Sequence, residues 1–450
     1  MQMKLLKTLY GRHDSLLRAI GAGAGAGRRN FAAASTEEYL KRNYAKNISE
    51  YNSVIGSISA QRRHYLLRDV YDDLVLDGVK PERDTFHGLI IGTMRGSRLQ
   101  DAIFFRDEMK AMGLVLDVSL YNFLISTCGK CNNSELAIRI LEEMKRYEVK
   151  PNGQTYICLL STCAASGRLD RVRAIVRDMT AAGLGLNKFC YAGLITAHKN
   201  NIPTNDDAAS KIIELVEQSK GWSSVEASKD AAENLMMGIS EEELYNLPTA
   251  EYVYKRGGFL NRQLTVYHAA FVACADLRNI EAMETLLDML QKDGKAPDNF
   301  ILMQIMRCYL RCGDLDRGKK TFDDYMNSGK PVAVELYVSL AEGAMLGHTP
   351  NGMKLALETL ENMTARNFYL SPKMGTDLLL LAAGEKDGYY TTANYIWDLL
   401  RSRNAVPSFP AVEAYYKGLK ERDIPAEDER IIHVTKTWED LRRRFGPGRF

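Results

Sequence analysis

Between residues 118 and 152 the apolar side chains come first at Tyr121, Leu124, Ile125 and Cys128, then give way to a polar stretch at 130–133. They return at Ala137, Ile140, Leu141 and Met144, steps of three, four and seven that put all four on one face of a helix. Lys150-Pro151-Asn152 closes the stretch; proline has no N–H and a fixed φ, so the helix before it stops. The next stretch repeats the order with Val172, Ile175, Val176 and Met179. The pattern predicts an antiparallel helix pair with an apolar stripe on both helices.

The pair recurs with a fixed step. An aromatic residue stands at Tyr51, Phe86, Tyr121, Tyr156 and Tyr191, each 35 residues after the last, and Met109, Met144 and Met179 keep the same register, as do Gly78, Gly113 and Gly183. With the aromatic as position four, units fall at 48–82, 83–117, 118–152 and 153–187, with a broken one from 188. They resume at 264–298, about 299–333, about 334–371, which runs long, then 374–408 and a partial unit from 409. A helix pair of this size cannot bury its stripes alone, so neighbours must stack. The expected fold is all-α: an α-solenoid of about nine to ten such helix-turn-helix repeats forming a superhelix.

Specific residues carry a resemblance. Thr155-Tyr156, Gly167-Arg168-Leu169-Asp170, Leu141-Glu142-Glu143-Met144-Lys145 and Gly78-Val79-Lys80-Pro81 are similar to the pentatricopeptide repeat pattern, and the 35-residue step separates it from the tetratricopeptide repeat. The whole chain resembles plant mitochondrial members of that family, of the plain repeat type. The resemblance implies RNA binding, one base per repeat, chiefly through the residue after the aromatic and the last residue of the unit. Carried onto this chain, the base-reading pairs are Asn52 with Glu82, His87 with Asp117, Asn122 with Asn152, Ile157 with Asn187, and His268 with Asp298. Of these, Asn122 with Asn152 fits a usual combination, of a pyrimidine-preferring kind. Position two, where the family clamps bases with an apolar residue, holds Ser49, Asp84, Ser119, Gln154 and Thr265, with Phe189 and Phe300 the exceptions. Position thirteen, near the RNA backbone in the family, is basic in Arg95, Lys130 and Arg311.

The ends and the middle depart from the period. Residues 1–36 bear Lys4, Lys7, Arg12, Arg18, Arg28 and Arg29 against one acid, Asp14, with leucines between, the composition of a mitochondrial transit peptide. Two repeat blocks are expected, 48–200 and a degenerate 264–429. Between them, 201–263 holds an interrupted repeat, for which Ala208 to Glu217 supply a second helix, and an insertion. Glu241-Glu242-Glu243, Trp222, Tyr245, Tyr252 and Tyr254 make that insertion acidic and aromatic. A basic tail, 430–450, carries Trp438 and Arg442-Arg443-Arg444.

Composition narrows the function classes. With 59 Lys and Arg against 57 Asp and Glu the net charge is +2, so RNA affinity must come from local patches. No apolar run approaches the roughly 20 residues of a membrane helix, and the 8 cysteines are too scattered for a disulfide framework. Cys128-Gly129-Lys130-Cys131 has metal spacing but no second pair, and its cysteines sit at recurring small-residue positions. The 7 histidines have no nucleophile spaced to pair with them, and no phosphate-cradling loop or deaminase signature is present. No enzyme, cofactor or metal site is expected.

Two functions remain. One is an RNA-binding scaffold in the mitochondrial matrix, a component of or a factor on the mitochondrial ribosome, holding rRNA by charge and shape and docking ribosomal proteins through 221–263. The other is a sequence-specific binder of one mitochondrial mRNA, acting in RNA processing, stability or translation. The degenerate base-reading positions and the near-neutral charge favour the first. A protein-only scaffold of the tetratricopeptide kind fits the Lys-Pro unit ending poorly.

Overall fold

A computed structural model describes residues 44–445 apart from 203–206, 221–238, 251–259, 330, 387, 423 and 426. The expected transit peptide 1–36, much of the insertion and the last five residues of the tail lie outside the described residues. The chain divides at Gly92 into two compact units.

In the first unit α1 (Ile48–Ala60) and α2 (Leu67–Leu76) form a pair, followed by the start of α3 (Arg83–Arg95). Tyr51, Ile55, Leu67, Tyr71, Leu74 and Phe86 are its core, and the rings of Tyr71 and Phe86 lie 6.0 Å apart.

The second unit continues with α4 (Leu99–Ala111), then the pairs α5 (Val118–Lys130) with α6 (Ser134–Arg146) and α7 (Gly153–Ala165) with α8 (Leu169–Ala181). Helix α9 (Lys188–Asn200) pairs with α10 (Ala208–Ser219), the short α11 (Glu241–Leu244) follows, and α12 (Thr265–Leu277) pairs with α13 (Ile280–Lys292). The remaining pairs are α14 (Asn299–Arg311) with α15 (Leu315–Asn327), α16 (Val334–Ala344) with α17 (Pro350–Ala365) and α18 (Pro372–Ala382) with α19 (Thr391–Ser402). Helices α20 (Phe409–Lys420) and α21 (Glu429–Phe445) end it. Within this unit each first helix packs on the next, α5 on α7 on α9 on α12 and onward to α20, with each second helix against its own first helix. This is the α-solenoid arrangement, and α9 meets α12 directly although 64 residues separate their ends.

The periodic glycines have a backbone reason. Val79 N–H bonds Leu74 C=O at 3.1 Å and Leu184 N–H bonds Met179 C=O at 2.9 Å. Each closes a second helix over a left-handed residue, Gly78 at φ +71° and Gly183 at φ +75°, a conformation that glycine adopts without a Cβ clash. In the third unit Glu148 takes the same place at φ +59°.

First helices are buried on more than one face. Every residue from Leu120 to Gly129 in α5 is buried, polar ones included, whereas α6 buries the stripe Ala137, Ile140, Leu141 and Met144. The long unit at 334–371 has its surplus in α17, which runs for 16 residues where the other second helices of the stack before it run for 12 or 13. The stretch read as a basic tail from 430 is, through Phe445, helix α21 packed on α20, with the rings of Tyr416 and Trp438 stacked at 4.8 Å. Among the described residues no helix is long and apolar enough to cross a membrane.

Candidate nucleic-acid interface

The residue that closes each unit stands immediately before the next first helix, and that place determines its hydrogen bonds. Helix N-termini leave backbone N–H groups unsatisfied, and a short polar side chain just ahead of them caps them. Asp117 Oδ1 accepts the Leu120 N–H at 2.8 Å, and Asp298 Oδ1 accepts that of Ile301 at 3.0 Å. Asn187 Oδ1 takes Phe189 and Cys190 N–H at 3.0 and 3.1 Å. Asn152 forms a reciprocal capping box with Thr155, at 2.9 and 3.2 Å. Glu82, exposed, donates its own N–H to Thr85 Oγ1.

Of the expected base-reading pairs, Asn122 with Asn152 and His268 with Asp298 are in contact. Asn122, 1% exposed, donates from Nδ2 to Asn152 Oδ1 at 3.5 Å, a long bond. His268, 3% exposed, has Nε2 2.7 Å from Asp298 Oδ2. Both carboxylate oxygens of Asp298 are therefore engaged. Burial raises its carboxyl, but the bond and charge of His268 and two backbone N–H groups outweigh that and hold it below the usual carboxylate range. Ile157 is buried, and Asn52 and His87 are half-buried. At position two, Gln154 and Thr265 are buried, and Phe300 lies edge-on to His268 at 5.3 Å.

The expected backbone cations differ in their surroundings. Lys130 is half-buried at the end of α5. Arg311 Nη1 lies 2.7 Å from Asp276 Oδ1, and Arg307 and Lys199 reach the same carboxylate at 3.1 and 2.8 Å. Burial raises the Asp276 carboxyl; Lys199, with Arg307 and Arg311, more than offsets this and holds it low. Three cations face Asp276, and with Glu342 also acting on Arg307 the cluster keeps a local positive excess. Arg307 and Arg311, one helical turn apart, were readable as a pair; Lys199 and Asp276, 77 residues apart, gave no sequence signal.

Arg95 has an unexpected partner. Its Nε lies 3.0 Å from Glu243 Oε1, in the insertion. Residues 239–250 of that insertion turn inward: Ile239, Glu242, Leu244, Tyr245 and Leu247 are buried. Tyr245 lies 4.9 Å from Phe189, Asn246 Nδ2 donates to Ser126 C=O at 2.9 Å, and the Cys158 thiol donates to Leu244 C=O. Glu242 meets Arg262 at 3.1 Å. Gly129 makes the room, since a Cβ there would stand 2.6 Å from Asn246 Nδ2 and 2.7 Å from Thr162 Oγ1.

Cys128 is buried, which pushes its thiol up to about 12, and Cys131 donates its S–H to Ser97 C=O at 3.3 Å. Cys312 makes the same bond to Arg278 C=O. Among the described residues no three His, Cys, Asp or Glu side chains gather as a metal ion would need.

This is the architecture of a helical-repeat protein, and comparison with known proteins specifies which. The chain belongs to the pentatricopeptide repeat family. Residues 116–165 match that family's repeat model. The mitochondrial pentatricopeptide repeat-containing protein At4g35850 of Arabidopsis thaliana is 60% identical over 442 residues, 98% of each chain. A second Arabidopsis member, At3g53170, is 33% identical over 93 residues, 20% of this chain and 21% of that one. Among solved structures, the pentatricopeptide repeat protein PPR10 in complex with an 18-nt psaJ RNA element aligns with 92% of this chain and 57% of that one, at 17% identity and a TM-score of 0.49.

Proposed function

We propose that the chain is an RNA-binding scaffold of the mitochondrial matrix, acting on or as part of the mitochondrial ribosome, and that it holds RNA by charge and shape. One observation carries the reading: His268 and Asp298 bond each other, and Asp117, Asn152, Asn187 and Asp298 direct side-chain oxygens to helix caps, whereas Lys199, Arg307 and Arg311 converge on a single carboxylate. Occupied donors and acceptors cannot meet a Watson–Crick edge, but surplus cations still attract phosphate. The mitochondrial designation of the 60% identical relative and the acid-poor start at 1–36 support the compartment.

A second reading, a binder of one transcript, keeps support from Asn122, whose Oδ1 has no hydrogen-bond partner among the described residues. Crosslinking followed by RNA sequencing from purified mitochondria separates the two. Reads concentrated in rRNA are expected; reads on one transcript leader would replace the ribosomal reading with the second. A fluorescent reporter fused to residues 1–50 should enter mitochondria, and a cytosolic signal would remove the compartment.

A further inference from the structure

The inserted segment meets the repeats at the places where the family resemblance puts RNA. Glu243 lays its carboxylate on Arg95, the position-thirteen cation, at 3.0 Å. Tyr245 sets its ring 4.9 Å from Phe189, one of the few position-two residues able to clamp a base. Between them Asn246, at φ +54°, places its side-chain amide on α5, with Nδ2 on Ser126 C=O at 2.9 Å and Oδ1 3.4 Å from Ser126 Oγ. An anion on the cation, an aromatic ring on the clamp and an amide on the helix between them are the parts that a nucleotide would bring as phosphate and base.

The fit is a packed one. Tyr245 and Leu244 are each 1% exposed, the ion pair is largely shielded from water, and Gly129 leaves the space that Asn246 fills. A disordered spacer would have no reason to place its acidic run on an arginine 148 residues away. Like charge is also excluded: a carboxylate held at Arg95 repels a phosphate approaching the same spot.

We propose that residues 239–250 are a resident, RNA-mimicking occupant of the face formed by α5, α7 and α9, and that they compete with single-stranded RNA for it. The inference rests on the RNA-binding reading above and adds its regulation. While the segment is seated, RNA contacts fall on the later repeats around Lys199, Arg307 and Arg311; once it leaves, Arg95, Phe189 and the neighbouring positions open.

The test compares three full-length proteins: wild type, a variant with 239–250 replaced by a Gly-Ser linker of equal length, and the milder Glu243→Arg/Tyr245→Ser double variant. The double variant keeps chain length and backbone should the linker variant fail to fold, and circular dichroism melts report folding in each. Fluorescent single-stranded RNAs of varied sequence are titrated at low and moderate salt. Unseating the segment should tighten binding at least tenfold, and a synthetic peptide of residues 239–250 should displace RNA from the unseated protein but not from wild type. Equal, salt-dependent affinity in all three proteins overturns the competition while leaving the RNA-binding reading intact. No binding by any of them, even at low salt, overturns both.

Discussion

His268 Nε2 and Asp298 Oδ2 lie 2.7 Å apart within the unit 264–298, and Asp298 also caps the next first helix through Ile301 N–H. One aspartate thus serves a buried imidazole and a helix terminus together. Replacing it removes both at once.

Asp298→Ala should therefore cost more than the loss of a cap alone. A cap is worth about 1 kcal/mol, and leaving a buried polar partner unsatisfied adds about 1–3 kcal/mol. Asn187→Ala, which removes a cap whose expected pair partner, Ile157, is apolar, is the comparison. Amide hydrogen exchange at 299–303 and at 188–192 measures each locally, which suits a repeat array whose units need not unfold together. Equal loosening at the two helix starts would show that the His268 contact contributes nothing.

The cation cluster predicts a pH dependence. Asp276 has its folded-state pKa depressed by Lys199, Arg307 and Arg311, which more than offset its burial. Its contribution is then present above the ordinary aspartate value of about 3.9 and lost as pH falls through the lower folded value. Wild type should lose stability between pH 5 and 3 more steeply than Asp276→Asn, followed by urea midpoints at fixed salt. Parallel curves would mean that the carboxylate is not held by the three cations.

The repeat, the helix pairing and the glycine register were legible in the sequence because each rests on interactions within one unit, such as a left-handed turn at Gly78 or a stripe at steps of three and four. The unit-ending Asn and Asp residues were legible too, but as base readers, and their placement before a helix start gives them a capping role whether or not they touch RNA. Burial of Asn122 was not readable from its own helix, since the neighbouring first helices that cover it belong to other units. The docking of Glu243 on Arg95 was hidden for the same reason: the acidic run and Tyr245 announced unusual composition, but nothing local named their partner.

The cysteines predict an order of reactivity. Burial pushes the thiols of Cys128 and Cys274 up to about 12 and those of Cys163 and Cys190 up to about 11, so little thiolate is present at neutral pH. Cys312 is exposed and should be alkylated first by iodoacetamide in the native protein, as peptide mass mapping would reveal. Cys131→Ala should cost about 1 kcal/mol or less, and protein purified without chelator should carry no stoichiometric zinc. A molar equivalent of zinc, or early labelling of Cys128, would overturn the packing role of the Cys128–Cys131 pair.

Three sets of substitutions distinguish the ways RNA can be held. If bases are read, Asn122→Ser should change which oligonucleotide binds, because an amide–base hydrogen bond worth about 1–3 kcal/mol disappears. If charge and shape hold it, the change should stay under about tenfold, roughly 1.4 kcal/mol. The second outcome is expected, because Asn122 is buried against Asn152. Reversing Lys130 and Arg311 should weaken binding to all sequences alike and flatten the salt dependence by about 0.7 in log–log slope for each phosphate no longer neutralised. Arg95→Glu should behave differently from both, since its first effect is to expel Glu243 from the face it occupies, so its cost in affinity is partly offset by the opened groove. A panel of short RNAs at two salt concentrations reads all three variants. A preference above tenfold for one sequence that vanishes with Asn122 would return base reading to the centre of this protein's function.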